Sequence, residues 1–162
     1  MLVLLTLSWG VNWPVMKIGV HDLPPMTFRV MTMIGGLPLV AAIAHARGVP
    51  LRVPREHWGE LFVLALFNMV LWMILAIYGV ELLSSGRAAI LAYTMPVWAA
   101  LLGIVVYAEH PSPRLWVGVG AAAFGVLLLV GGEAAKIAGS PAGTLLMLSA
   151  AAVWGFGTHL MR

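Results

Sequence analysis

Asparagine and tryptophan side chains share helical faces within long apolar stretches of this chain. Asn12 follows Trp9 by three positions and precedes Trp13, and Asn68 precedes Trp72 by four. Residues three and four apart lie on one face of a helix. Such a face can hold a small polar solute, because the amide donates and accepts hydrogen bonds while the indoles form an apolar wall. Asn12 can equally bond a neighbouring helix while the tryptophans pack, and both interpretations are open.

A third apolar stretch combines a hydroxyl, a proline and a large aromatic residue. Thr94 and Trp98 share a helical face, Tyr93 lies off that face by helical phase, and Pro96 removes one backbone hydrogen bond. This stretch is the best single candidate for a cavity wall. The candidate cavity residues are therefore Trp9, Asn12, Trp13, Asn68, Trp72, Thr94, Pro96 and Trp98.

Three charged residues near the ends of apolar stretches are candidates for coupling or gating: Arg29, Glu81 and Arg87. A charge in the middle of a membrane is costly, but a long side chain near an interface can reach water. Arg29 can instead pair with Asp22 or with Glu81. Glu81 is either an interfacial group or a proton carrier.

No arrangement typical of an enzyme is present. The sequence has no His-Glu-x-x-His, no Gly-x-Ser-x-Gly, no phosphate-binding loop and no pair of carboxylates deep in an apolar stretch. It has no cysteine, which excludes thiol catalysis and cysteine-based metal sites. His159 is within an apolar stretch, but the sequence indicates no partner for it. We therefore expect no enzyme activity, no metal and no cofactor.

The composition is that of a protein embedded in a lipid bilayer. Hydrophobic residues make up 62% of the 162 residues, charged residues 9%, and the mean hydropathy is +1.00. Globular domains carry about 25% charged residues. The net charge is +3, but the basic residues are scattered singly, without the basic face of a nucleic-acid-binding protein. The chain is predicted to be an integral membrane protein that does not bind nucleic acid.

Six apolar runs have about the length of roughly 20 residues that a membrane helix needs. Short polar or proline-containing segments separate them, and Ser112 before Pro113 is typical of a helix N-cap followed by the first helical residue. The predicted fold class is an all-α polytopic bundle. The predicted helices are Leu2 to Val20, Thr27 to Ala46, Glu60 to Leu82, Arg87 to Tyr107, Leu115 to Gly132 and Gly143 to Met161.

The loop between the second and third runs is the richest in arginine and is therefore predicted to be cytoplasmic. It holds Arg47, Arg52 and Arg55. This orientation places the N-terminus in the cytoplasm of a bacterium, with the chain in the inner membrane. Five basic residues then lie on the cytoplasmic side and four on the other: Arg47, Arg52, Arg55, Arg114 and Arg162 against Lys17, Arg29, Arg87 and Lys136.

A short motif occurs twice, once in the first run and once in the last. Trp9-Gly10 is followed by Met16-Lys17, and Trp154-Gly155 is followed at the same spacing by Met161-Arg162. The second copy begins after an odd number of crossings, so it is predicted to point the opposite way, as in the inverted repeats of secondary transporters. Residues 1–139 would form the first five-helix repeat and residues 140–162 the first helix of a second.

The order of these motifs resembles the EamA-like branch of the drug/metabolite transporter superfamily. The matching features are Trp9-Gly10 with Asn12 and Pro14, Pro24-Pro25 with Phe28-Arg29, Ser84 to Ala89, Tyr93 to Val97, Glu109, and the glycine-rich stretch from Gly118 to Gly132. The resemblance implies ten helices in two inverted units, with a substrate cavity near the middle of the membrane. It also implies export or exchange of small metabolites, amino acids or drug-like compounds by alternating access.

The chain departs from that pattern in one large respect. Helices seven to ten are absent, so the alternatives are a fragment of a longer transporter or a membrane scaffold that needs a partner chain, for which a second copy is one candidate. Asn12 occupies the first helix, where the related small multidrug-resistance pumps carry a glutamate. A neutral or zwitterionic substrate therefore fits better than a cation, and proton coupling is an open alternative.

Overall fold

The computed structural model describes residues 2–106, 112–137 and 140–161, and nearly all of them are helical. Apolar runs of this length form helices because lipid offers no partners for backbone polar groups, which must bond within the helix. The α-helices are α1 (Leu2–Asp22), α2 (Pro25–Ala46), α3 (Trp58–Ala65), α4 (Trp72–Leu82), α5 (Ser85–Ala92), α6 (Met95–Val105), α7 (Pro113–Ile137) and α8 (Pro141–Leu160).

Several of these helices join end to end into longer spans. A 3₁₀ turn at Arg55–His57, α3, a π-helical turn at Leu66–Leu71 and α4 form the third span, while α5 and α6 form the fourth. The described residues thus contain the six predicted helices, which confirms the all-α bundle. Four of them are long and apolar enough to cross a membrane: Pro25–Ala46, Arg55–Leu82, Ser85–Val105 and Pro141–Leu160.

The start of α7 follows the predicted capping pattern. Pro113 is the first helical residue, and the backbone N–H of Leu115 donates to Ser112 Oγ at 3.2 Å. This bond satisfies one of the amide groups that a helix leaves unpaired in its first turn. The N-cap prediction is confirmed.

Helix α8 packs between the third and fourth spans and runs antiparallel to the third. A Cβ on Gly143 near its start would meet the side chains of Leu82 and Leu83, and a Cβ on Gly157 near its end would meet Asn68. Helix α1 runs the other way, since the ammonium of Lys17 near its C-terminus donates to the carbonyls at the end of the third span. The helices that carry the two Trp-Gly copies are therefore antiparallel.

The buried core joins α8 to the helices before it. Helix α2 lies at the outside, and none of its most apolar window is buried, as expected of a helix that faces lipid. The buried apolar residues of the described chain are Trp13, Met16, Val20, Ala76, Ile77, Val80, Leu83, Ala88, Leu91, Ala92, Met95, Met147, Ala150 and Ala151.

Candidate functional site

A cavity of about 400 Å³ lies near the middle of the bundle. It is enclosed by α1, the first turns of α2, the π-helical turn, α4, the junction of α5 with α6, and α8. Thirteen residues line it: Ser8, Trp9, Asn12, Trp13, Met16, Arg29, Asn68, Met69, Trp72, Met73, Tyr93, Met95 and Trp154. The lining is mostly indole and thioether, with a few polar groups, which is the usual composition of a small-molecule site.

The cavity has a buried floor and a half-exposed rim. Trp13 and Met16 are almost fully buried, whereas Trp9 and Tyr93 are about half exposed. On one wall the rings of Trp72 and Trp154 pack at a centroid distance of 5.2 Å, tilted by 56°. This contact joins the third span to α8, so the wall depends on both.

Asn68 is held in the cavity wall by an irregular stretch of backbone. It lies in the π-helical turn Leu66–Leu71, and such turns occur frequently at functional sites because they redirect side chains within a helix. Its side chain packs directly on Gly157 of α8, where any Cβ would collide with it. Asn68 is only 8% exposed, yet neither its Nδ2 nor its Oδ1 has a hydrogen-bond partner.

The buried polar atoms that lack partners are concentrated in this cavity. In the part of the chain that the structure describes, they are Arg29 Nε, Asn68 Nδ2, Asn68 Oδ1 and Trp72 Nε1, and all three residues line the cavity. Folded proteins pair nearly all their buried polar groups, because an unpaired one costs about 1 to 3 kcal/mol. All four atoms have almost no surface that a water-sized probe reaches, so a ligand or water would bond them only after these side chains turn toward the cavity.

Arg29 brings the only charged side chain of this lining into the cavity. Its Nη2 lies 3.9 Å from the sulfur of Met16, the one polar contact of this side chain within the described residues. Asp22 bonds His21 instead, and no ion pair joins Arg29 to Asp22 or Glu81 within the described residues. The alternative that Arg29 pairs with either acid is therefore wrong.

Asn12 lines the cavity from α1 but bonds within its own helix. Its Nδ2 donates to the sulfur of Met16, one turn on, at 3.2 Å. A sulfur is a weak acceptor, so this bond leaves the amide available for a stronger partner. Of the eight predicted cavity residues, the five on α1 and the third span line the cavity together: Trp9, Asn12, Trp13, Asn68 and Trp72.

The fourth span presents a different face from the predicted one. Pro96 has no N–H for the carbonyl of Ala92, and the helix breaks at Tyr93 and Thr94. The break turns Tyr93 into the cavity. Thr94 is buried behind it: its hydroxyl donates to Leu91 O at 2.6 Å and accepts from Trp98 Nε1 at 3.2 Å.

The lining therefore contains Tyr93 and Met95 and does not contain Thr94, Pro96 or Trp98. The prediction from helical phase failed here because it assumed one unbroken helix. The prediction that Tyr93 lies off the cavity face is therefore wrong.

Two other predicted residues and one histidine lie away from the cavity. Glu81 and Arg87 are outside the lining, and Glu81 contributes only its carbonyl, which accepts from Lys17 Nζ at 2.7 Å. The expectation that His159 lacks a partner is wrong. It is buried, and its Nε2 lies 2.7 Å from the carbonyl oxygen of Ala99, so Nε2 must carry the proton that it donates.

Sequence reasoning missed part of the lining, although some of it could have been found. Trp154 begins the second copy of the repeated motif, which places it at a position equivalent to Trp9. Met16 lies on the face already recognised through Trp9 and Asn12. The lining residues outside the predicted set are Ser8, Met16, Met69, Met73, Tyr93, Met95 and Trp154.

Membrane-length helices around a cavity whose lining residues carry unpaired polar groups are the features of a membrane transport protein. The family model of the EamA-like transporter family matches residues 1–131. The chain belongs to this family.

Curated bacterial relatives are named as transporters. Uncharacterized transporter YoaV of Bacillus subtilis is 32% identical over 93% of this chain and 52% of its own length. Uncharacterized transporter YvbV of the same organism is 33% identical over 100% of this chain and 52% of its own length. A probable amino-acid metabolite efflux pump of Escherichia coli is 25% identical over 95% of this chain and 50% of its own length.

The chain spans about half the length of the curated relatives it matches. No solved structure matches it.

Proposed function

We propose that the protein is part of a secondary transporter that exports or exchanges small metabolites by alternating access. The observation that carries this proposal is the group of four unpartnered polar atoms on three residues that line one cavity of a transporter-family chain. Hydrogen bonds to a solute would complete these groups. A solute of modest size fits a volume of about 400 Å³.

Amino acids and related metabolites are the proposed substrate class. The name of one relative, a probable amino-acid metabolite efflux pump, supports it. The lining supports it as well, because amides and an arginine beside indoles suit a molecule with a polar end and an apolar body.

The proposed contact residues are the predicted ones that line the cavity: Trp9, Asn12, Trp13, Asn68 and Trp72. Thr94, Pro96 and Trp98 are proposed to act indirectly, because the broken helix that they form is what turns Tyr93 into the lining. Neither Glu81 nor Arg87 touches the cavity, so any coupling or gating by them would require a second conformation.

The inverted-repeat organisation is also a proposal, with residues 1–139 as the first unit and 140–162 as the start of the second. The antiparallel course of α1 and α8 supports it. We further propose a bacterial inner-membrane location with a cytoplasmic N-terminus, from the arginine-rich loop at positions 47–55. Proton coupling and a homodimer stay predictions, as does the absence of enzyme activity and of cofactors.

Proteoliposomes containing the protein provide the test. They are preloaded with a panel of labelled amino acids, and exchange against external unlabelled amino acid is followed. Transport of at least one compound, abolished by Asn68→Ala and preserved in Leu102→Ala, is the expected result. No exchange of any compound would favour the alternative, a membrane scaffold that needs a partner chain.

A further inference from the structure

The strongest feature not yet explained is a cationic side chain in the cavity without a counterion. Arg29 lines the cavity, and none of the thirteen lining residues is Asp or Glu. Among the described residues, none of the ion pairs His21–Asp22, His57–Glu56 and His57–Glu60 involves Arg29. A cation in such surroundings is costly unless an anion accompanies it.

Two nitrogen atoms of Arg29, Nε and Nη2, form the edge of the guanidinium that can hold a carboxylate side-on. Among the described residues, Nε is buried without a hydrogen-bond partner, and Nη2 has a long contact with the sulfur of Met16, at 3.9 Å. The N–H groups of Nε and Nη2 point in parallel from one edge of the guanidinium. A carboxylate accepts such a pair with both oxygens, which makes the contact both strong and directional.

A second buried polar group is present in the same cavity. Asn68, 8% exposed, has an amide with neither its donor nor its acceptor used. The remaining wall is apolar, formed by indole rings and methionine side chains such as Trp72, Trp154 and Met73. The cavity therefore offers a carboxylate site, an amide and an apolar surface, and no acid for an ammonium group.

We infer that Arg29 recognises the carboxylate of the molecule that occupies this cavity, and that the occupant is a small carboxylate with an apolar body whose ammonium group is not required. This inference rests on the proposed function and names the chemical group by which the substrate is selected. It predicts that an amino acid and the acid without its amino group bind alike. The corresponding amide, which keeps the ammonium and loses the negative charge, binds poorly.

Binding of leucine, 4-methylpentanoate and leucinamide to the purified protein in lipid nanodiscs tests this selectivity. The tryptophans that line the cavity report binding by their fluorescence, and none of the three compounds absorbs with them. Leucine and 4-methylpentanoate are expected to bind saturably, and leucinamide at least about tenfold more weakly, as for loss of a charge-assisted bond. Equal affinity for leucinamide would overturn the inference, as would no binding by any of the three.

Substitution of Arg29 identifies the group responsible. Arg29→Gln should lower the affinity for leucine and for 4-methylpentanoate by at least about tenfold and leave the affinity for leucinamide unchanged. Arg29→Lys should retain part of the affinity for the two carboxylates. Arg47→Gln, the same change in an exposed residue at the other end of α2, is the matched control and should bind as the unmodified protein does. Unchanged affinity in Arg29→Gln would overturn the inference.

Two further measurements separate the possible failures. If Arg29→Gln does not fold, the comparison of leucine with leucinamide on the unmodified protein still tests whether a carboxylate is required for binding. If the proteoliposomes exchange only solutes without a carboxylate, the transporter proposal is supported and this inference is wrong. If they exchange nothing while the purified protein binds carboxylates selectively, this inference is supported and the transporter proposal is wrong.

Discussion

The amide of Asn68 lies directly on the Cα of Gly157, so the third span and α8 touch where the cavity wall is formed. No side chain fits at Gly157 while Asn68 keeps its position. The packing of these two helices therefore determines the geometry of the cavity wall.

Gly157→Ala is the first prediction from this contact. The added methyl group collides with Asn68, so the variant should lose about 1 to 3 kcal/mol of stability and should bind cavity ligands more weakly. Thermal unfolding in nanodiscs and tryptophan fluorescence measure the two effects. Gly10→Ala is the matched control, because a Cβ there meets nothing within 4 Å. Equal stability of the two variants would contradict the close contact.

Trp72→Phe tests whether the unpartnered indole N–H serves a ligand. Phenylalanine keeps an aromatic ring to pack against Trp154, while the donor Nε1 is lost. Ligand affinity should fall roughly three- to tenfold, as for one hydrogen bond of about 1 kcal/mol, with little change in melting temperature. Trp116→Phe on the exposed face of α7 is the control. Unchanged or increased affinity would mean that the N–H plays no part in binding.

Pro96→Ala should repair the break in the fourth span. Alanine restores an N–H that can donate to the carbonyl of Ala92, so the helix becomes continuous and Tyr93 turns away from the cavity. Single-cysteine variants make this measurable, because the chain has no native cysteine. Labelling of Tyr93→Cys by a small polar thiol reagent should slow several-fold in the Pro96→Ala background.

Met69→Cys, on the rim of the same cavity but on the third span, should label at the same rate in both backgrounds. Unchanged labelling at position 93 would show that something other than the proline maintains the break.

Lys17 should stabilise the bundle through the end of the third span. Its ammonium donates to the carbonyls of Val80 at 3.0 Å and Glu81 at 2.7 Å, two groups that have no partner further along the helix. Lys17→Met keeps the apolar stem and removes the donor, and should cost about 1 to 2 kcal/mol in unfolding free energy. Lys17→Arg should recover most of that loss. If both variants melt alike, the capping role is wrong.

Arg52 and Ser140 should lie on opposite sides of the membrane. Ser140 lies beside the start of α8 and, through Gly143, near Leu83, at the end of the third span that is opposite to Arg55. Arg52→Cys and Ser140→Cys should therefore react with an impermeant reagent from different compartments, and Ser84→Cys should react from the same side as Ser140→Cys. Labelling of Arg52→Cys and Ser140→Cys from one side would refute the bundle topology.

Much of the fold could be predicted because membrane helices depend on length and hydropathy, which are local properties. The six runs, the cap at Ser112 and the five cavity residues on α1 and the third span all follow from spacing along single helices. The face of the fourth span could not be predicted from helical phase, because the break at Tyr93 rotates everything beyond it. Pro96 marked that break, but the direction of the rotation depends on packing against α8.

The role of Arg29 could not be predicted for a different reason. Position along the helix placed it near an interface, where a long side chain can turn either to water or inward. The sequence offered Asp22 and Glu81 as partners, but Asp22 bonds His21, and neither acid forms an ion pair with Arg29 within the described residues. Which way a flexible charged side chain turns is set by tertiary contacts, here Met16 on α1.

The central position of α8 has a practical consequence for anyone who dissects this protein. A boundary drawn by sequence repeat at residue 139 passes through the middle of the packed interior, because Met147, Ala150 and Ala151 fill the space beside Ala76 and Ile77. A chain that ends there would lack α8, which packs against the third span, and Trp72 would lose its contact with Trp154. The proposed repeat, residues 1–139, is thus shorter by one helix than the packed unit, and recombinant pieces of the chain should include α8.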